Sequence, residues 1–179
     1  MDTTDEMLKA PFAGTRVVVL RGIAGAGKTT YADALCRAAD AHRIPSYAFT
    51  ADVQTYTQPD GVVRARKYDL HNAHAKCLRE FTVFLVDRAQ QAHEGSALMI
   101  VDNSSIHNEE VAPYASLAKA FGAELHLVAL RCDPYAALAR ATATHPEEET
   151  LVRSVKLLKE IQFAPVWWPR HLVLTTDRV

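Results

Sequence analysis

Lys28 and Thr29 close a glycine-rich run, Gly22-Ile23-Ala24-Gly25-Ala26-Gly27-Lys28-Thr29-Thr30. Gly22, Gly27, Lys28 and Thr29 satisfy the pattern G-x-x-x-x-G-K-[ST], and Gly25 adds a further glycine inside the loop. The chemistry of such a run is phosphate binding. Glycines let successive backbone N–H groups converge on anionic oxygens at a helix N-terminus, the lysine adds a point charge, and the threonine hydroxyl is able to reach Mg²⁺. Setting supports the reading: the β-branched Arg16-Val17-Val18-Val19-Leu20 precedes the run, and apolar residues at helical spacing, Ala32, Leu35, Cys36 and Ala39, follow it.

Ligands of open α/β sheets bind beyond the carboxyl ends of the strands, and two acids stand directly after apolar runs. Asp52 follows SYAFTA and Asp102 follows ALMIV. Phosphoryl transfer to a hydroxyl needs a metal on the polyphosphate and a carboxylate that takes the acceptor's proton. The pair divides that labour if Asp102 lies near Thr29 and Mg²⁺ while Asp52 faces the acceptor. The plainer reading of either acid is a helix cap or a surface carboxylate. Arg140 is the candidate for developing phosphoryl charge, with Arg153 and Lys156 as substitutes; its plainer reading is a surface arginine.

Between residues 60 and 79, Arg64, Arg66, Lys67, Lys76 and Arg79 outnumber Asp60 and Asp69 by three charges. This stretch suits a nucleic-acid backbone beside Asp52, or simply a solvated loop and helix face. Trp167 and Trp168 offer stacking surfaces but fit edge packing better. His71, His74 and Cys77 share helical spacing, and packing explains them better than a metal. Asn103 is expected to support Asp102 and the phosphate loop, or to be a turn residue.

The elements needed to position these residues are legible as alternating patterns. Strands are expected at 17–20, 46–50, 97–101, 124–130 and 171–176. Helical stripes fill the intervals. Leu70, Ala73, Cys77, Phe81, Phe84 and Leu85 lie on one between 69 and 93, and Val111, Tyr114, Ala115, Ala118 and Phe121 form another that stops at Gly122. Leu151, Val155, Leu158 and Ile161 follow an acidic first turn at Glu147, Glu148 and Glu149. Strands alternating with helices imply a doubly wound α/β domain. With 179 residues, we expect one domain over 15–179 behind a flexible 1–14. Thr57-Gln58-Pro59-Asp60-Gly61-Val62-Val63 is the expected exposed loop.

A net charge of −1 and a pI near 6.7 provide no global basic field. A nucleic-acid partner would therefore need a local patch. The three scattered cysteines, Cys36, Cys77 and Cys132, suit reduced core thiols. No apolar run approaches the length of a membrane span, so a soluble, cytoplasmic protein with no membrane partner is expected.

GIAGAGKTT, TADVQTY, YDLHNAHAKC and IVDNSSIHNEEVAPYASLAKAFG together resemble the polynucleotide-kinase-type P-loop kinases, including the kinase domain of the phage enzyme, over about Val17 to His145. The phage kinases of 5-hydroxymethyluracil in DNA, a DNA-modification branch, are similar as well. The resemblance implies a sheet of order 2-3-1-4-5 with helices on both faces, a small lid supplying arginines, ATP and Mg²⁺ as cofactors, and a nucleic-acid hydroxyl as acceptor, DNA before RNA. It also implies Lys28 as the loop lysine, Thr29 and Asp102 on the metal side, Asp52 as general base and Arg140 in the lid; the loop pattern puts Gly22 to Thr30 on ATP, and the charge excess read above offers Arg64, Arg66 and Lys67 to the nucleic acid. The chain departs from the phage pattern at Thr55, where an arginine stands three residues past the base, and at Ala141, where a second basic residue follows the lid arginine. The alternatives are a kinase of a nucleoside, nucleotide or other metabolite, and a nucleotide-gated binding module without catalysis.

Overall fold

The computed structural model describes residue 8 and residues 14–51, 55–57, 63–65, 70–91, 95–140, 148–160 and 171–176. β1 (Thr15–Arg21) is buried from its second residue onward because it is the central strand. It pairs in parallel with β5 (Ala97–Val101), Val17 opposite Met99, and with β6 (Glu124–Arg131), Val17 opposite Leu125. β2 (Ser46–Phe49) flanks β5, and β7 (His171–Thr175) flanks β6. The five strands thus follow the order 2-3-1-4-5 in the sequence of their appearance, as expected. Strands covered on both faces need apolar side chains in both directions, which is why VVVL and ALMIV carry no polar residue.

Alternation along β1 sends successive residues to two separate cores. Val18 and Leu20 pack with Leu98, Ile100, Val128 and Leu130 against Ala32, Leu35 and Ala39 of α1 (Lys28–Ala41). Leu8 joins that core, and Val155 and Leu158 of α5 (Glu148–Glu160) pack on it. On the other face Val17 and Val19 meet Cys77, Phe81 and Leu85 of α2 (Leu70–Gln90), and Val111, Tyr114 and Ala118 of α3 (Asn108–Ala120).

Two residues of the expected stripes need correction. Phe84 is not in the core: it is 38% exposed, with its ring 4.9 Å from that of Tyr47 and 5.5 Å from that of Phe49. Phe121 is likewise exposed, standing just beyond α3. α3 starts at Asn108, ahead of its first buried apolar residue, because the Glu110 carboxylate accepts the His107 N–H at 2.8 Å and fixes the first turn. It ends where Gly122 takes a left-handed φ of 69°.

The two ends of the expected loop need correction as well. Thr57 and Val63 are paired residues of an antiparallel ribbon, β3 (Thr55–Thr57) with β4 (Val63–Ala65). Pro59-Asp60-Gly61 between them lies outside the described residues. A seven-residue helix, α4 (Pro134–Arg140), is too short to show apolar periodicity and was not expected. Asp133 starts it, its Oδ1 accepting the N–H groups of Tyr135 (2.9 Å) and Ala136 (3.1 Å), with Pro134 at the first helical position. Among the described residues no helix is long and apolar enough to cross a membrane.

Candidate active site

The glycine-rich loop joins the tip of β1 to the start of α1, at the carboxyl end of the parallel sheet. Other segments hold it in place. Gly22 N–H donates to Ser104 O (3.0 Å), and the Thr176 hydroxyl donates to Ala26 O (3.0 Å) from the end of β7. Gly25 carries the tightest contact. Its φ is +75°, and a Cβ built there would stand 2.3 Å from the backbone oxygen of Ala137. Helix α4 is therefore seated directly on the loop, and only glycine fits between them.

No side chain caps the first turn of α1, so its N-terminus is open to an anion. The Lys28 ammonium donates to the carbonyls of Ile23 (2.9 Å) and Gly22 (3.1 Å), which holds its charge over the loop. The Thr29 hydroxyl donates to Asp102 Oδ2 at 2.7 Å. Asp102 is only 8% exposed, and its position follows from strand continuation: its N–H donates to Phe49 O at 2.8 Å, extending the β2–β5 ladder by one step. Above the loop lies a cleft of about 300 Å³ lined by Gly25, Lys28, Thr29, Asp102, Ser104 and Arg140 among others. Arg140, at the last position of α4, reaches Thr176 O at 3.4 Å. The expected loop, Thr29, Asp102 and Arg140 thus meet at one cleft. Arg153 and Lys156 are exposed on α5 and do not line it.

Asn103 differs from expectation. It holds neither Asp102 nor the phosphate loop by its side chain. Its Oδ1 accepts the N–H of Ala51 at 2.7 Å, and its Nδ2 faces Tyr114 Oη (3.4 Å) and Cys77 Sγ (3.5 Å). The Tyr114 hydroxyl donates to Cys77 Sγ at 3.4 Å, and burial, followed by that bond, pushes its pKa well above the ordinary phenol range. Cys77 and Asn103 thus fix the backbone that leads into residue 52. Asp52 itself, Arg66, Lys67, Trp167 and Trp168 lie outside the described residues, as do the side chains of Arg64 and His71. Among the described residues no cluster of three or more His, Cys, Asp or Glu is arranged for a metal.

Two contributors went unnoticed in the sequence. Arg21, fully buried at the tip of β1, donates from Nε to Ser105 O and from Nη2 to Ile106 O, both at 2.5 Å. Burial lowers its pKa to about 10 and the nearby Glu110 acts in the opposite sense, so the guanidinium stays charged at neutral pH. Thr176 is the other. The available signal is the polar residue that ends an apolar run, which marks Arg21 and Thr176 as it marks Asp102.

A sequence profile described as an AAA domain matches residues 17–156. No curated protein matches the chain by sequence. Among solved structures, the Mycobacterium tuberculosis APS kinase CysC, in complex with AMPPNP and APS, has a TM-score of 0.55 at 17% identity, over 94% of this chain and 92% of that one. A gluconokinase from Sinorhizobium meliloti has a TM-score of 0.52 at 16% identity, over 95% and 86%. Sheet order, loop position and these superpositions agree on the fold. The chain belongs to the AAA domain family and has the P-loop kinase fold.

Proposed function

We propose that the protein is an ATP-dependent phosphotransferase that moves a γ-phosphoryl group to an alcohol, and that the alcohol belongs to a small molecule. The observation that carries the reading is the Thr29–Asp102 hydrogen bond at the floor of a cleft that Arg140 also lines. A hydroxyl and a carboxylate 2.7 Å apart form a hard-oxygen donor set that suits Mg²⁺. Bound there, the ion supplies charge neutralisation for the polyphosphate. The chain's own residues do the rest. Backbone N–H groups at the end of the loop and in the first turn of α1, with the Lys28 ammonium, hold the phosphates, and Arg140 meets charge developing on the transferred group. Asp52 is assigned the acceptor: as the new O–P bond forms and the bond to the ADP oxygen breaks, its carboxylate takes the hydroxyl proton.

The small-molecule acceptor is supported by structural neighbours named as an APS kinase and a gluconokinase. The second reading, a nucleic-acid hydroxyl as in the polynucleotide-kinase group or on a modified base of phage DNA, rests on Arg64, Arg66 and Lys67 and on the sequence resemblance. Labelled ATP should be offered to sugars, nucleosides, 5′-hydroxyl oligonucleotides and hydroxymethyluracil-containing duplex. Label in a small alcohol is the expected result; label confined to the polymers would replace the main reading with the second. ATP binding with no transfer to any alcohol would leave a nucleotide-gated binding module. In an active preparation Asp52→Asn abolishes transfer and leaves ATP affinity nearly intact, and Arg140→Ala lowers kcat by about 10³-fold.

A further inference from the structure

A second cleft, of about 310 Å³, opens between α2 and α3 beside the phosphate cleft. The segment leaving β5 is the wall shared by the two: Asp102 and Ser104 line the phosphate side, and Asn103 and Ser105 line the other. A molecule in the second cleft would therefore lie one chain-width from the metal-side carboxylate. Its size is at the lower end of the range for small-ligand sites.

The lining states what kind of molecule fits. Leu78 and Pro113 provide apolar surface. Ser105 is 1% exposed and its hydroxyl has no hydrogen-bond partner among the described residues. A buried hydroxyl left unmatched is costly, and it is able both to donate to and to accept from a ligand hydroxyl. Among the described residues the charged side chains of the lining are the carboxylates of Glu109 and Glu110, with His74 the remaining ionisable group of note. Glu110 is occupied in capping His107, whereas Glu109 is exposed. Arg21 bonds the carbonyls of Ser105 and Ile106 from beneath and does not line the cleft. A wall with two carboxylates repels phosphate-rich polymers and accepts hydrogen-bond donors.

We propose that this cleft is the acceptor subsite, and that it takes an uncharged, hydroxyl-rich molecule of monosaccharide to nucleoside size: one hydroxyl on Ser105, others on Glu109, and a ring face on Leu78 and Pro113. As an acceptor subsite it rests on the phosphotransferase reading above; as a binding site it is tested separately. Saturation-transfer NMR on the full chain, with a panel of neutral sugars and nucleosides and their phosphorylated counterparts, supplies the binding readout. The blocking variant is Ala75→Trp, which places a large ring in the cleft from an exposed position of α2.

At least one neutral member should bind the wild type. Ala75→Trp should weaken it by about tenfold or more while ATP binding is unchanged, and Glu109→Gln should weaken it less. Absence of any neutral binder, binding indifferent to Ala75→Trp, or preference for the phosphorylated members would each overturn the site. Label transfer to an alcohol that ignores Ala75→Trp removes this subsite and leaves the phosphotransferase reading standing. Binding that Ala75→Trp abolishes, with no label transfer, supports the site and removes that reading.

Discussion

The two ends of the parallel sheet are built by different means. At the amino end the polar contacts are strand-to-strand and the turns are local. Arg16 on β1 donates to Glu124 on β6 at 2.6 Å, His126 lies 2.9 Å from the other oxygen of the same carboxylate, and Gly122 turns the chain out of α3. At the carboxyl end almost every contact joins segments remote in sequence: Gly22 to Ser104, Thr29 to Asp102, Ala51 to Asn103, Ala26 to Thr176. One end closes the sheet; the other gathers loops around a cleft. Substitutions at the first should change stability alone, and at the second they should change turnover as well.

Glycine substitution gives the largest contrast. Gly25 and Gly122 both have positive φ, but Gly122 has nothing within 4 Å of a built Cβ, whereas Gly25 meets Ala137. Gly122→Ala should cost only the left-handed strain of about 1–2 kcal/mol in denaturant unfolding, with kinetics unchanged. Gly25→Ala adds about 1–3 kcal/mol of overpacking. By displacing α4, and Arg140 with it, it should lower kcat by about 10²-fold, the scale set by a misplacement of about 1 Å. Equal kinetic losses in the two variants would break the comparison.

Asn103→Ala comes next. It leaves the buried Ala51 N–H without its acceptor, at about 1–3 kcal/mol, and loosens the backbone that leads into Asp52. Steady-state kinetics should register a fall in kcat with little change in the KM for ATP; a stability loss with full turnover would confine Asn103 to packing.

The smallest effect belongs to the amino end. Burial alone would raise the Glu124 carboxyl, but the bonds from Arg16 and His126 outweigh it and hold its pKa below the ordinary 4.5. A depressed carboxylate stabilises the fold above its unfolded pKa, and the contribution is lost as pH falls through the folded value. Thermal melts of Glu124→Gln should therefore lie slightly below wild type at pH 7, by less than about 1 kcal/mol since the side chain is 44% exposed. The two should converge only once the pH has fallen below that depressed folded value. A gap that persists into acid would mean packing, not charge, joins β1 to β6.

What could be read in advance follows the same division. Val17 to Leu20 and Ala97 to Val101 announced themselves because central strands of a doubly wound sheet leave no place for a polar residue. The loop from Gly22 to Thr30 was legible because its chemistry is contained in one short stretch. Asp102 was found by a rule of position, the acid after a strand, and it does meet Thr29 across 73 residues. Arg21 and Thr176 end apolar runs as Asp102 does, but their partners lie 84 and 150 residues away and nothing local indicates what either one binds. Helix α4 is too short for periodicity, and Thr57 and Val63 carry turn-like neighbours that concealed a ribbon. The cleft between α2 and α3 is a product of the two helices converging on Ser105, which no linear spacing records.

The brace from Thr176 to Ala26 also bears on biosynthesis. Ribosomes add about 5–20 residues per second, so a stretch of 150 residues separates the two partners by roughly 8–30 s of translation. Throughout that interval a growing polypeptide has already exposed its glycine turn yet lacks the clamp on it. Nucleotide capture by nascent chains should accordingly be weak until the last strand of the sheet has emerged and docked.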